Sequence, residues 1–191
     1  MGNVTSASDY LNGWGGNHQP GRRDAWATML SATKLFMHPK AAPSSLTLAY
    51  GYFSGDKKLD GKCRAWNTMY YDFGMVGAVD AALLGPSNVH LISLVGGHKL
   101  TPDLGANLRY THYMWDKPVH APNTVLGVYN TAYAMTGKKN VGDMLDLNLT
   151  YDYTEDVSFG LNAGLFLPGS AFSNNNDSDA CQVMGTMKVT F

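Results

Sequence analysis

Histidine is the residue type in this chain best suited to acid–base chemistry near neutral pH, where it can exchange protons with neighbouring Asp or Ser side chains. The histidines of the middle region are His90, His98, His112 and His120. Their spacing repeats no known catalytic arrangement. His112 also falls on the apolar side of an alternating segment, near a predicted membrane interface, which disfavours catalysis. We therefore predict that the chain has no catalytic residues and is not an enzyme.

Oxygen-rich segments and cysteines are the other candidates for binding chemistry. The segments "SGDKKLDG" (54–61) and "NNNDSD" (174–179) offer oxygen ligands for Ca²⁺, but neither places ligands at every second position of a full calcium loop. Cys63 and Cys181 match no metal-ligand spacing, so they form either one disulfide between loops or two unpaired thiols, with the second slightly favoured. The 21 glycines are scattered and form no phosphate-binding loop. We predict no metal and no cofactor.

Composition narrows the class of protein. The chain has 191 residues, of which 45% are hydrophobic and 15% charged, with a formal charge of -1. These values exclude a disordered chain and provide no basic excess for nucleic acid. No apolar run approaches the roughly 18 residues of a membrane helix. The first residues, "MGNVTSASDYLNGWGG", lack the basic and apolar parts of a signal peptide, which indicates a cytoplasmic chain or one whose true beginning lies upstream.

Alternation of apolar and polar residues is the main structural signal, and it is clearest in 143–153. There the apolar set is Leu145, Leu147, Leu149, Tyr151 and Tyr153, and the polar set is Asp146, Asn148, Thr150 and Asp152. The pattern recurs in 45–54, 103–116, 156–167 and 181–191, and less cleanly in 24–37 and 88–99. A period of two predicts β-strands, so we expect about seven, or eight if 3–11 or 123–135 contains another.

The connections alternate between short and long. Short turns are expected at 38–44, 100–103 and 154–156, and long loops at 55–87, 117–143 and 168–179. Strands joined in this way form an antiparallel up-and-down meander. Outer-membrane barrels have this arrangement, with short periplasmic turns and long extracellular loops.

The polar side of the alternation favours a membrane barrel over a soluble one. It consists of Asn, Thr, Ser, Gly and Gln with few charges, whereas the open surface of a soluble sheet is usually rich in Lys and Glu. The strands also have the length of about 9 to 11 residues that a membrane strand needs. We therefore predict an all-β, antiparallel transmembrane β-barrel in a bacterial outer membrane, with a soluble ligand-binding β-barrel as the alternative.

This interpretation assigns two sets of residues. The predicted pore-lining residues are Asn107, Arg109, Thr111, Asp146, Asn148, Asp152, Asn162 and Lys188. The predicted aromatic girdle at the membrane interfaces consists of Tyr50, Tyr52, Tyr151, Tyr153 and Phe191. Tyr113 and Trp115 fit either sugar stacking or, more readily, girdle or loop packing.

Seven strands do not close a bacterial barrel, which has an even number. An open sheet in lipid leaves unpaired backbone groups at both edges, so we expect an upstream barrel half or a partner chain to complete it. Residues 1–191 then form a single β-barrel region. Within it, 1–23 are an extracellular loop or an incomplete preceding strand, and 24–191 are the meander.

Three segments resemble the alginate export family of outer-membrane porins. They are "GDMLDLNLTYDYTEDVSFGLNAGLFLPGSAF" (142–172), "SNVHLISLVGGHKLTPDLGANLRYTHY" (87–113) and "LTLAYGYFSGDKKLDGK" (46–62), and the likeness spans most of 22–191. Phe191, preceded by apolar residues at every second position, is similar to the terminal signal by which outer-membrane proteins are recognised for assembly. The resemblance implies a barrel of near 18 strands, of which this chain supplies fewer than half.

The resemblance also implies passage of an acidic exopolysaccharide through a lumen rich in Arg and Lys. This chain departs from that pattern, since its predicted lumen includes Asp146 and Asp152 beside Arg109 and Lys188. We therefore predict an outer-membrane channel for small hydrophilic solutes or saccharides, with the lipid bilayer as a partner. A plugged structural barrel that holds a partner protein is the alternative within the membrane.

Overall fold

The computed structural model describes residues 24–38, 41–56, 64–67, 87–118, 136–174 and 177–191. These residues form an all-β sheet of seven antiparallel strands in the order β1-β2-β3-β4-β5-β6-β7, which confirms the predicted up-and-down topology. The strands are β1 (Ala27–His38), β2 (Ala41–Phe53), β3 (Val89–Lys99), β4 (Leu104–Trp115), β5 (Asn140–Asp152), β6 (Val157–Pro168) and β7 (Ala180–Val189). Among the described residues there is no helix long and apolar enough to cross a membrane.

The predicted turn at 38–44 is shorter than expected, because only residues 39–40 lie between β1 and β2. Residues 38–44 were expected to form a connection, but β2 begins at Ala41 and β1 continues to His38. The register shifts between Phe36 and His38, so Pro43 lies in an irregular part of the pairing. Proline lacks the N–H that a regular ladder needs, and it is tolerated here because the pairing is irregular at this position. The possible additional strand in 3–11 or 123–135 lies outside the described residues, as does 1–23.

The strand register defines two faces of the sheet. One face carries Asn107, Asn148 and Asn162 in direct register, and we call it the polar face. The other carries Leu108, Leu147 and their neighbours, and we call it the apolar face. Leu48 on the apolar face is 56% exposed, Leu108 is 50% exposed and Leu161 is 42% exposed. The largest apolar surfaces therefore remain uncovered, which is the reverse of a soluble sheet packed on a core.

The two ends of the sheet differ as well. The turn end carries the connections near 100–103 and 153–156, and the loop end carries those near 54–88, 116–140 and 169–179. At the loop end lies a group of buried residues that we call the loop-end cluster. Its members are Phe53, Val89, Leu91, Tyr113, Trp115, Val141, Met144, Phe166, Ala171 and Phe172. The principal core of the described residues thus covers one end of the sheet and leaves the apolar face exposed.

The first and last strands are edges of the described sheet. β1 pairs only with β2, and β7 pairs only with β6 among the described residues. Both edge strands run from the loop end to the turn end, because Ala27 lies opposite Phe53 and Ala180 lies opposite Phe166. Each edge therefore presents a row of backbone groups that are available to another strand.

Candidate functional site: the polar face

All eight predicted pore-lining residues lie on the polar face. Direct register partners on β4, β5 and β6 place Asn107, Asn148 and Asn162 in one row across three neighbouring strands. The next row towards the loop end contains Arg109 opposite Asp146. At the turn end, Asp152 and Lys188 lie on either side of Ser158. The remaining member, Thr111, lies opposite Met144.

The exposure of side chains on the polar face decreases from the turn end towards the loop end. Asn107 and Asn148 are exposed, whereas Asp146 is 5% exposed and Thr111 is fully buried. The hydroxyl groups of Thr111 and Ser93 share a hydrogen bond of 2.8 Å. Thr111 therefore contributes to packing between β3 and β4 at the lower boundary of the loop-end cluster. Its assignment to a pore lining stays a prediction.

Asp146 and Asn162 carry polar atoms that need partners. Among the residues that the structure describes, the two carboxylate oxygens of Asp146 and the Oδ1 of Asn162 have no hydrogen-bond partner, although all three atoms are buried. Buried polar groups in folded proteins nearly always have a hydrogen-bond partner, and a buried group without one destabilises the fold by about 1–3 kcal/mol. The centre of the polar face thus holds acceptor atoms whose hydrogen bonds the described chain does not supply.

Glycines shape the face around the asparagine row. A Cβ atom at Gly97 would lie 2.7 Å from Asn107 Oδ1 and 2.6 Å from Ser45 Oγ, so both side chains lean over this glycine. At Gly105, in contrast, a Cβ would meet nothing within 4 Å. Glycine in a strand interior often marks a place where another group approaches the backbone closely.

The loop-end cluster closes the upper part of the polar face. The rings of Phe166 and Phe172 meet edge to face, with centroids 5.9 Å apart. Two connecting segments are held over the strands by backbone hydrogen bonds: Ala171 donates to the carbonyl of Asn140 at 2.7 Å, and Trp66 donates to the carbonyl of Ser54 at 2.8 Å. The loop connections therefore fold onto the sheet and exclude water from its upper polar face.

Tyr113 and Trp115 belong to this buried cluster, each at 1% exposure. Their placement matches loop packing and does not fit a girdle in contact with lipid. Among the described residues, the Tyr113 hydroxyl and the Trp115 Nε1 have no hydrogen-bond partner.

The predicted girdle residues lie on the apolar face or beyond its strand ends. Near the loop end, Tyr50 shares a 2.8 Å hydrogen bond with His90 Nδ1, and the Tyr52 ring lies 4.8 Å from the His90 ring. At the turn end, the Tyr153 ring lies 6.4 Å from Tyr151 and 6.2 Å from Phe159. Phe191 follows β7 and is fully exposed. Contact of these rings with a bilayer stays a prediction.

The apolar face also carries a polar group, centred on Asp143, that was not predicted from the sequence. Asp143 Oδ1 accepts a 2.6 Å hydrogen bond from the Tyr110 hydroxyl and a 2.8 Å hydrogen bond from His112 Nδ1. Asp143 and His112 interrupt otherwise apolar positions of their strands, and this violation of the alternation was the available signal. These hydrogen bonds pair the polar groups at the loop end of the apolar face.

A hydrogen-bonded junction joins β2, β3 and β4 at the loop end. Asp116 accepts a 2.9 Å hydrogen bond from the Gly55 N–H and a 2.9 Å hydrogen bond from the Lys117 ammonium, while His90 Nε2 lies 3.7 Å away. Burial favours a higher pKa for Asp116, but the Gly55 N–H and the Lys117 ammonium outweigh it and hold the pKa below its ordinary value. Asn88, at a positive φ of 57°, binds the Lys117 backbone through its side-chain amide.

The candidate metal and cysteine residues lie partly outside the described part of the chain. No group of three His, Cys, Asp or Glu side chains in it could hold a metal ion. Cys181 is an exposed, free cysteine, and Cys63 lies outside the described residues. The two candidate calcium segments also extend beyond the described ranges.

Comparison with known proteins gives one family. The family model described as alginate export matches residues 7–186, which is most of the chain. A comparison with curated proteins finds no match.

Proposed function

Because this chain belongs to the alginate export family of outer-membrane β-barrel porins, we propose that it forms part of the wall of a channel for small hydrophilic solutes or saccharides. The observation that carries the proposal is the inversion of the two faces. Exposed leucines cover one face, while amide, hydroxyl and charged groups lie on the other. In a bilayer the apolar face contacts lipid and the polar face contacts the solute path.

The exposed apolar residues argue against a soluble barrel. Burying a large aliphatic side chain stabilises a protein by about 1.5–3 kcal/mol, so leaving a row of them in water forgoes much stability. Leu108 and Leu147 are direct register partners on this face, and both are exposed. A continuous apolar surface of this kind marks a membrane or protein contact.

Closure of the sheet needs strands in addition to those described. β1 and β7 run in the same direction, so pairing them with each other would be parallel. Bacterial barrels are antiparallel, and an antiparallel connection between these edges takes an odd number of strands. We propose that an upstream barrel half or a partner chain supplies them. A second copy in the same membrane orientation offers edges of the same direction and does not solve the problem.

A plugged structural barrel is the second candidate. The loop-end cluster favours it, because Leu91, Tyr113 and Trp115 are buried by residues that fold over the polar face. In this alternative the loop end is sealed permanently and the barrel holds a partner protein. In the channel proposal the cluster narrows the lumen only at the loop end and leaves the asparagine row accessible to the solute.

Conductance separates these candidates. The protein should be extracted from outer membranes together with the strands that close its sheet, and then inserted into planar lipid bilayers. A channel gives stepwise ionic currents, whereas a permanently sealed barrel gives none. Persistent silence of a correctly inserted protein would contradict the channel proposal.

Cysteine labelling tests the assignment of faces independently. Single cysteines at Leu147 and Asn148 form a matched pair on β5 in a background with Cys63 and Cys181 replaced by Ser. We expect a membrane-impermeant, water-soluble thiol reagent to label the Asn148→Cys protein, and a lipid-borne quencher to reach only a fluorophore at Leu147→Cys. Equal labelling of both positions would contradict a lipid-facing apolar surface.

A further inference from the structure

Two basic side chains interrupt the apolar face near the turn end of β1 and β3. Lys34 and His98 are both exposed, and they occupy positions where the alternation otherwise places hydrocarbon. Between them on β2, Ser44 is the direct register partner of Phe36 and of His98. We call Lys34, Ser44 and His98 the turn-end basic group. On a face that contacts lipid, such groups belong at the headgroups, because hydrocarbon does not solvate them.

The side chains of this group converge on Ser44. The Lys34 ammonium lies 5.3 Å from the centre of the Phe36 ring, which is two residues nearer the turn end. Lysines at a membrane boundary extend in this way, with the stem in hydrocarbon and the charge at the headgroups. His98 Nδ1 shares a 2.8 Å hydrogen bond with Ser44 Oγ, which uses one of the two ring nitrogens. The ammonium and the imidazole therefore lie on either side of Ser44.

The polar boundary of the apolar face slants across the strands. Lys34 is in the same row as Leu147 and His98 is in the row of Leu149, whereas the boundary on β5 lies further along, at the predicted girdle residue Tyr151. Strands of membrane barrels are tilted by about 40° and spaced by about 4.8 Å, so a row changes height by about 3 Å per strand. Over the four strand intervals from Leu147, this brings Lys34 about 12 Å closer to the periplasmic surface.

The charge of the turn-end basic group is not balanced on its own face. From the row of Leu147 to the turn end, the described residues of the apolar face include no Asp or Glu. The described acidic residues at this end lie in the connections after β3 and β5 or on the polar face, and they are Asp103, Asp152, Glu155 and Asp156. The Lys34 ammonium thus gives the group a net positive charge, which an anionic headgroup complements.

A shallow groove leads from this group towards the middle of the membrane. Gly96 lies two residues from His98 towards the loop end, between Leu46 and Leu108 in its row. A Cβ atom at Gly96 would meet nothing within 4 Å, and the two flanking leucines are exposed. An acyl chain can therefore lie along β3 between them.

We propose that Lys34, Ser44 and His98 bind the phosphate of an anionic phospholipid in the periplasmic leaflet, with one acyl chain in the groove over Gly96. This inference rests on the membrane orientation of the proposed function and names a lipid partner for it. The Lys34 ammonium pairs with the phosphate, and the hydrogen-bonded pair of His98 and Ser44 supplies one further donor, the imidazole Nε2–H or the hydroxyl. A strand added beside β1 extends the sheet and does not cover this face.

Fluorescence quenching by brominated lipids tests the proposal in the intact barrel. The protein is purified with the strands that close its sheet, with Cys63 and Cys181 replaced by Ser, and carries a bimane label at Leu48→Cys or at Leu161→Cys. Both positions are exposed on the apolar face, and the second lies on β6, away from the basic group. Phosphatidylcholine vesicles receive a minor fraction of brominated phosphatidylglycerol or of brominated phosphatidylcholine.

We expect brominated phosphatidylglycerol to be enriched over phosphatidylcholine at the Leu48 label by about fivefold, the typical effect of one basic side chain near anionic lipid. Both lipids should quench the Leu161 label equally. Equal quenching at Leu48, or the same enrichment at both labels, would overturn the proposal.

Variants locate the site. Lys34→Gln should abolish the enrichment at Leu48, and His98→Gln should reduce it. Gly96→Leu fills the groove and should also reduce it, while leaving both basic side chains in place. Lys138→Gln removes the same charge at the loop end and should leave the enrichment unchanged. Persistence of the enrichment in the Lys34 variant, or an equal loss in the Lys138 variant, would overturn the placement.

Two outcomes separate this inference from the proposed function. Stepwise currents together with equal quenching by the two lipids leave the channel proposal standing and overturn the lipid site. Absence of quenching by either lipid at both labels contradicts the membrane orientation itself. Circular dichroism of every variant confirms that a loss of enrichment does not arise from unfolding.

Discussion

The loop half and the turn half of the sheet use the same alternating strands in opposite ways. In the loop half the polar face, including Tyr113 and Trp115, is buried under segments around Trp66 and Phe172, while the apolar face carries the Tyr110–Asp143–His112 contacts. In the turn half the polar face exposes Asn107 and Asn148. The apolar face there is mainly hydrocarbon, interrupted by Lys34 and by the hydrogen bond between Ser44 and His98. Alternation therefore determines which face a residue occupies, and the covering segments determine whether water reaches it.

Truncation of a buried ring should give the largest difference between the halves. We expect Trp115→Ala to lower the free energy of unfolding by about 3–5 kcal/mol, because it opens a cavity in the loop-end cluster. Asn148→Ala, in the turn half, should change it by less than about 0.5 kcal/mol. Urea unfolding in lipid vesicles, followed by gel mobility of the folded form, measures both. Similar losses in the two variants would contradict a division into buried and hydrated halves.

Charge insertion sharpens the contrast between the two faces within the turn half. Leu147→Arg should destabilise the inserted protein by about 2–4 kcal/mol if Leu147 meets lipid near the middle of the bilayer. The adjacent Asn148→Arg should have little effect on stability, since a polar lumen hydrates the new charge. The same vesicle unfolding assay applies. A larger loss from the Asn148 variant would reverse the assignment of the faces.

Two glycines provide a matched test of backbone geometry. Gly142 in the loop half has a φ of 135°, and a Cβ there would be directed at the backbone of Leu167 and Pro168. We expect Gly142→Ala to cost at least about 1–3 kcal/mol, because the residue would be strained as well as crowded. Gly105→Ala in the turn half meets nothing within 4 Å and should be nearly neutral. Thermal unfolding of the two variants in one detergent compares them, and equal midpoints would contradict the predicted strain at Gly142.

The smallest expected effect is the loss of the Asp116 carboxylate, whose contribution to stability depends on pH. The pKa of Asp116 is lowered from 3.8, so its contribution to stability is fully present above this value and is lost as pH falls through the lower pKa of the folded protein. Asp116→Asn should therefore cost about 1 kcal/mol at pH 7 and progressively less as the solution becomes more acidic than about pH 4. Urea midpoints at pH 7 and pH 3 test this. A difference between the urea midpoints of wild type and variant that is larger at pH 3 than at pH 7 would contradict the predicted direction of the pH dependence.

Strand positions were predictable because a period of two is local. In 103–116 and 156–167 the alternation places the strands to within one residue of β4 and β6. At 38–44 the prolines indicated the turn but not its end, since β2 already begins at Ala41 and Pro43 lies within it at a register irregularity. The face of each predicted lumen residue followed from the same period.

Burial was not predictable in this way. Tyr113 and Trp115 are covered by segments around residues 66 and 172, which are separated from them by dozens of residues. Such contacts depend on how the connections fold and leave no periodic trace in the sequence. Asp143 was different, because an acidic residue at an apolar position indicates that a partner such as Tyr110 must be near.

In the proposed membrane orientation, the contacts of Asp143 also limit how deeply the sheet is inserted. On β5, Asp143 and the predicted girdle residue Tyr151 bound the apolar stretch of this face, and they are eight residues apart. At about 3.4 Å per residue and a tilt of about 40°, that interval spans roughly 21 Å along the membrane normal. Such a small hydrophobic thickness matches the thin outer membrane, and a thicker bilayer would become locally thinner around the protein.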